Sequence, residues 1–212
     1  ARTIESRTDL LHFIGHCEES GLRCPDGNLS ISSISTSRAQ TFFLNACGSY
    51  EQGLEMVRKG SVAGAVTFEK VLDSHAAKVG TAFARLVAHG YSIERALSLS
   101  RRRVIMGKDY AVVGDGTHVL TQTESVVGPE VTLTKEADDR FSLSYEMPTP
   151  NQIGSKMAVY LDESEKPTLN GNSQEFTLDR TELVRFLRSG ECAVIYQKDI
   201  HWSTELADQL EN

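Results

Sequence analysis

Leu10-Leu11-His12-Phe13-Ile14-Gly15-His16 and Thr41-Phe42-Phe43-Leu44-Asn45-Ala46-Cys47-Gly48 are two short apolar runs, each ending in a reactive side chain beside a glycine. Runs this short, apolar on both faces, suit strands of a parallel sheet that helices cover on either side. Period-two alternation puts Leu10, His12, Ile14 and His16 on one face of the first strand. Sites in such sheets lie at the carboxyl ends of the strands, so His16 and Cys47 are expected to meet there. A thiol beside an imidazole is the minimal apparatus for covalent acyl transfer.

Working outward, residues 1–9 form a polar lead-in, and Cys17 to Asn28, with Gly21, Pro25 and Asp26-Gly27, reads as a turn-rich surface loop. Leu29 to Ile34 suits a short strand or connector. After Cys47-Gly48, Ser49 is placed to cap a helix over residues 50–59, closed by Gly60. Val62 to Phe68 reads as a third buried strand, narrow at Gly64. Asp73 or Ser74 opens a helix to His89, and Ser92 opens another through Ile105. Tyr110 to Val113 is a fourth strand, stopped by Gly114-Asp115-Gly116. Strand and helix alternate, which predicts a parallel α/β sheet over residues 1–116. From 117 to 212 short alternating segments (131–133, 141–145, 157–161, 176–178 and 193–196) predict a β-rich extension, interrupted by one helix over 180–188. Met147-Pro148-Thr149-Pro150-Asn151 reads as a linker or a long hairpin loop. No internal repeat is found.

The 29 acidic and 22 basic residues give a formal charge of −7, which argues against nucleic acid as a direct partner. The run Arg101-Arg102-Arg103 suits the last turn of a helix, where the dipole favours cations. The four cysteines, Cys17, Cys24, Cys47 and Cys192, lack the spacing of a disulfide scaffold or a zinc site, so no metal and no cofactor is expected. With no stretch long enough to span a bilayer and no signal-peptide layout, a cytoplasmic chain without a membrane partner is expected. Sheets of this class carry more strands than are found here, so further strands are expected from a preceding segment or another chain, with Ala1 a processed or artificial end.

Four blocks now line up: residues 10–16, Asn45-Ala46-Cys47-Gly48-Ser49, Ala63-Gly64-Ala65-Val66-Thr67-Phe68, and Tyr110-Ala111-Val112-Val113-Gly114-Asp115. In this order and spacing the chain resembles the CHAT proteases, caspase-like cysteine peptidases related to separase and the gingipains. The resemblance covers roughly residues 10–116. It implies a caspase-hemoglobinase fold and a His/Cys dyad, with His16 as the catalytic histidine and Cys47 as the nucleophile. It also implies an oxyanion hole made by the backbone N–H groups of Cys17 and Cys47. The family usually has glycine after the histidine; Cys17 stands there, and a Cβ restricts the dihedrals open to glycine.

In caspase-like enzymes the peptide substrate adds as a strand beside the third core strand, which here points to Thr67, Phe68 and Glu69. Relatives that cleave after basic residues carry an acid in the following helix; Ala77 occupies that position. Asp73 matches an acidic position common in the family, as a pocket residue or as a helix cap. Asp26 and Glu18-Glu19 are further pocket carboxylates. The functional expectation is a cysteine endopeptidase acting on protein or peptide substrates under a regulatory domain or chain, of the kind found in prokaryotic defence and cell death. A non-catalytic caspase-like scaffold is the alternative, and a thiol acyltransferase would share the acyl-enzyme chemistry. His12 is read as a satisfied core histidine, Cys192 as packing and Trp202 as an anchor.

Overall fold

The computed structural model describes residues 1–69, 73–102, 109–120, 128–146, 156–159, 166–169 and 173–211, with backbone alone at 73–74, 156–159 and 166–169. The tail of the helix expected to reach Ile105, the third arginine of the basic run and the linker-like stretch 147–151 lie outside these residues. The chain divides into two compact units, Ala1–Gln122 and Thr123–Asn212.

The first unit runs through α1 (Arg2–Glu5), β1 (Thr8–Gly15), β2 (Cys17–Glu18), β3 (Gly21–Cys24), β4 (Gly27–Leu29), a 3-10 turn (Ile31–Ser33) and β5 (Ala39–Ala46). It continues through α2 (Tyr50–Arg58), β6 (Ala63–Thr67), α3 (Asp73–Ala88), α4 (Ile93–Arg101) and β7 (Tyr110–Gly114). Its main sheet has the order β1-β5-β6-β7. β1, β5 and β6 are parallel, with Gly15 opposite Ala46 and Phe42 opposite Gly64. β5 is buried on both faces because period two splits its side chains between two layers of helix. Phe42 and Leu44 join Met56, Val66 and Val113 in one core. Phe43 faces the other way, its ring 4.9 Å from that of Phe83 on α3. Helix α2 comes close through Gly53, where a Cβ would sit 2.3 Å from Val66 Cγ1.

The fourth strand departs from expectation: β7 is antiparallel to β6, Thr67 pairing with Tyr110 and Ala63 with Gly114. The reason lies in what precedes it. One crossover helix returns the chain to the starting edge of a sheet, but α3 and α4 cross it twice and deliver β7 at the opposite end. The sheet is therefore mixed and parallel-rich, flanked by helices.

The segment after His16 is also more ordered than a surface loop. β2, β3 and β4 form a small antiparallel sheet, anchored by the buried Leu22. Leu29 closes that sheet, and the residues that follow make a 3-10 turn instead of a strand, with Ile31 buried and its N–H donating to Gln52 Oε1 at 2.8 Å. In the lead-in segment, Ile4 of α1 is likewise buried.

The second unit comprises β8 (Glu130–Lys135), β9 (Arg140–Glu146), β10 (Lys156–Val159), β11 (Lys166–Leu169), β12 (Ser173–Asp179), α5 (Arg180–Arg188), β13 (Ala193–Tyr196), β14 (Asp199–Trp202) and α6 (Ser203–Glu211). Five strands pair in the order β12-β9-β8-β13-β14, and β10 and β11 pair as a separate two-stranded antiparallel sheet. Alternate residues of the sheet (Val131, Leu133, Phe141, Leu143, Val194) meet Leu183, Phe186 and Leu187 of α5 and Leu206 of α6 in one core. A capping box fixes the start of α5: Asp179 accepts from the Glu182 N–H, and Glu182 accepts from the Asp179 N–H. Helix α6 has no counterpart in the sequence reading. Trp202 is buried, and burial pushes the Cys192 thiol up to about 11. Among the described residues no helix is long and apolar enough to cross a membrane.

Candidate active site

The β1–β5 register ends at Gly15 opposite Ala46, so the next residues along the two strands are His16 and Cys47. Both line one pocket of about 160 Å³, with Ile14 and Gly15 from β1, Asn45 and Ala46 from β5, and Ala76 and Ala77 from α3. The strands bring both residues to one pocket, which α3 also lines. Of the pair, His16 is exposed and Cys47 half-buried. None of the four cysteines is in a disulfide.

The turn carrying Cys47 is held by a buried polar cluster. Gly48 follows at φ 69°, a left-handed conformation that glycine adopts without a Cβ penalty. Ser49 occupies the N-cap position of α2, but its hydroxyl does not cap the helix. It donates to Leu44 O at 2.7 Å and accepts from the Thr67 N–H at 3.1 Å. The expected cap is thus a tie between β5 and β6: inside a parallel sheet, two strand groups beyond the ladder need partners more than an exposed helix start does. Thr67 Oγ1 completes the tie by donating to Ala46 O, one residue before the nucleophile position.

Asn45 links the pocket to α3. Its Nδ2 donates to Ala76 O at 2.7 Å, and the Tyr110 hydroxyl donates to its Oδ1 at 3.5 Å. Burial pushes the Tyr110 phenol up to about 12, helped by Asp109 and Cys47. Sequence reading assigned no role to Asn45 or Tyr110. The available signal was a polar amide in the apolar run Phe42 to Ala46, which must find partners once buried.

Cys17 opens β2 opposite Leu22, and the Arg23 N–H donates to His16 O at 2.9 Å. Antiparallel pairing alternates the direction of successive backbone groups, so the Cys17 N–H faces away from β3. Among the described residues the non-glycine positions with positive φ are Asp138, Asp139, Gln197 and Lys198. Cys17 is not among them, so its Cβ is accommodated in ordinary extended backbone. Burial pushes the Cys17 thiol up, and neighbouring Cys47 and Glu18 push it further.

Of the other sequence-derived site residues, Thr67 is buried with its hydroxyl engaged as above. Its backbone pairs with β7, and the Phe68 N–H donates to Asp109 O at 2.8 Å. Phe68 is half exposed and stacks on Tyr50, the ring centroids 4.8 Å apart. Glu69 is exposed beyond the strand end, and Asp26 is exposed at the β3–β4 turn. None of these four lines the pocket. Asp73 opens α3, and its side chain lies outside the described residues.

His12, expected to be a satisfied core histidine, is half-buried and is not satisfied. Its ring stacks on Phe43 at 5.1 Å and 4°, Nε2 is buried without a hydrogen-bond partner, and burial holds its pKa below the usual 6.5. Helix α3 comes down on this layer at Gly80, where a Cβ would lie 2.8 Å from His12 Cε1 and 3.0 Å from Asn45 Nδ2. Among the described residues no group of three or more His, Cys, Asp or Glu side chains converges as a metal site would require.

The geometry defines a mixed α/β unit with an imidazole and a thiol at the carboxyl end of its parallel strands. No protein-family model matches the chain, and no curated protein is significantly similar to it.

Proposed function

We propose that the chain is a cysteine endopeptidase of the caspase-like, CHAT type, working through the His16/Cys47 dyad. One observation carries the reading: two reactive side chains, each one residue past the paired end of adjacent parallel strands, line a single pocket. In this mechanism Cys47 Sγ attacks the scissile carbonyl carbon and the C=O π pair moves onto oxygen. The backbone N–H groups of Cys17 and Cys47 hold the oxyanion. His16, carrying the thiol proton, passes it to the leaving amine as the C–N bond breaks, a step that a positioned imidazole accelerates by about 10²–10⁴. A thioester remains. His16 then takes a proton from water, hydroxide adds to the thioester, and Cys47 leaves as the carboxylic acid is released.

The ordinary backbone of Cys17 supports the oxyanion assignment, since the donor there does not need a glycine. The enzyme acts on protein or peptide substrates in a reducing compartment such as the cytoplasm, where unpaired thiols persist. A regulatory domain or chain controls it. The test is incubation of the 212-residue chain, wild type and Cys47→Ala, with a proteome-derived peptide library and mass-spectrometric mapping of new termini. New termini that vanish in Cys47→Ala and in His16→Ala are expected. Termini produced by the wild type that persist unchanged in Cys47→Ala would remove the dyad reading.

A further inference from the structure

The pocket beside Cys47 has a chemical character of its own. Ile14, Ala46, Ala76 and Ala77 give it apolar side-chain walls, and among its described lining residues the one titratable group other than Cys47 is His16. Ile14 is 66% exposed, the most exposed large hydrophobic side chain in the described structure. Open to solvent and lining the same pocket as His16 and Cys47, Ile14 offers an apolar contact to a bound side chain. An apolar cavity of about 150 Å³ holds a molecule the size of benzene, so the present volume suits a side chain of four to six heavy atoms.

We infer that this pocket binds the substrate residue preceding the scissile bond, and that it selects an uncharged apolar side chain of leucine or methionine size. The inference rests on the peptidase reading above and adds the substrate class. Physical selection follows from desolvation. Leucine covers Ile14 and the two alanine methyls and leaves no polar atom behind. An arginine would meet no carboxylate among the described lining residues, and an aspartate would have only the His16 ring beside otherwise apolar walls. Ala77 is the switch position, because a carboxylate there would sit on the pocket wall.

The test uses peptidyl chloromethyl ketones with Leu, Met, Arg or Asp next to the warhead and chloroacetamide as reference. In each, the sulfur displaces chloride and forms one S–C bond, read as a mass increment mapped to Cys47. Leu and Met reagents are expected to label Cys47 about tenfold or more faster than Arg and Asp reagents, as apolar pockets discriminate. Ile14→Ala, a change at an exposed side chain, should erode that preference. Ala77→Asp should reverse the order of Leu and Arg. If the Arg or Asp reagent is fastest and labelling depends on His16, the apolar assignment falls while the dyad stands; Asp73→Asn would then show whether Asp73 supplies a charge. If every ketone labels Cys47 no faster than chloroacetamide, both the pocket and the peptidase reading fall.

Discussion

Replacing Ser49 with alanine should loosen the candidate site without touching it. The Ser49 hydroxyl bonds Leu44 O and the Thr67 N–H inside the sheet, and Thr67 Oγ1 lies 3.3 Å from it. In Ser49→Ala the buried Thr67 N–H has no acceptor, which costs about 1–3 kcal/mol, and a net bond of about 1 kcal/mol to Leu44 O is lost. The backbone barely responds to removal of one oxygen, so the loss should total about 2 kcal/mol or more. At 1.36 kcal/mol per tenfold, that is a roughly 30-fold larger open population and correspondingly faster exchange. The single tryptophan, Trp202, lies in the second unit, so its fluorescence does not report this change. Amide hydrogen exchange over residues 41–67 does. Thr67→Val tests the same cluster from the other side, and the double variant should lose less than the sum of the two. Exchange in Ser49→Ala within about threefold of wild type, under 0.7 kcal/mol, would refute the claim that this hydroxyl ties β5 to β6.

Gly80→Ala gains about 1 kcal/mol of helix propensity, but its Cβ strikes His12 and Asn45, and overpacking costs about 1–3 kcal/mol. A net loss in chemical denaturation, with altered Cys47 labelling, is expected; a stabilised variant would refute the close approach. His12→Phe should remove an acid sensitivity. Because the native state holds His12 neutral below its usual 6.5, the unfolded state binds more protons there, and wild-type stability falls as pH drops through 6.5 toward the lowered native value. The phenylalanine variant should be flatter over that window, and about 1 kcal/mol more stable at pH 7, by thermal denaturation read at 222 nm. In the second unit, Gln197 and Lys198 join Tyr196 to Asp199 with φ of 51° and 68°, the geometry of a type I′ turn. Gln197→Asn with Lys198→Gly should add about 1–2 kcal/mol to urea stability followed by Trp202 fluorescence, and no gain would refute the strain assigned to that turn.

What the sequence made readable was local and periodic. The alternation Leu10, His12, Ile14, His16 set one face of β1, and the end of the Thr41–Ala46 run set where Cys47 would emerge. Those two facts position the pocket. The direction of β7 was not readable, because it depends on α3 and α4 crossing the sheet in succession, a count of passes that no single segment encodes. Ser49 looked like a cap because the residue type and position fit one. Its actual partners, Leu44 and Thr67, are set by the sheet and become visible only once β5 and β6 are side by side. The Asp179–Glu182 capping box was legible in principle. Helix α6 was harder to see, since Ser203 follows β14 directly with no turn residue between them.

Gly80 gives α3 a fulcrum. The helix rests on His12 and Asn45 there, and Ala76, which the Asn45 amide grips, lies one turn nearer the pocket. That lever arm is about 6 Å, so tilting the helix by about 10° would move the pocket wall by only about 1 Å. The wall therefore moves little for a given tilt of the helix. A tilt of α3 thus changes the pocket width little, whereas Ile14, the exposed large side chain of its lining, can change it by rotating about its own χ1.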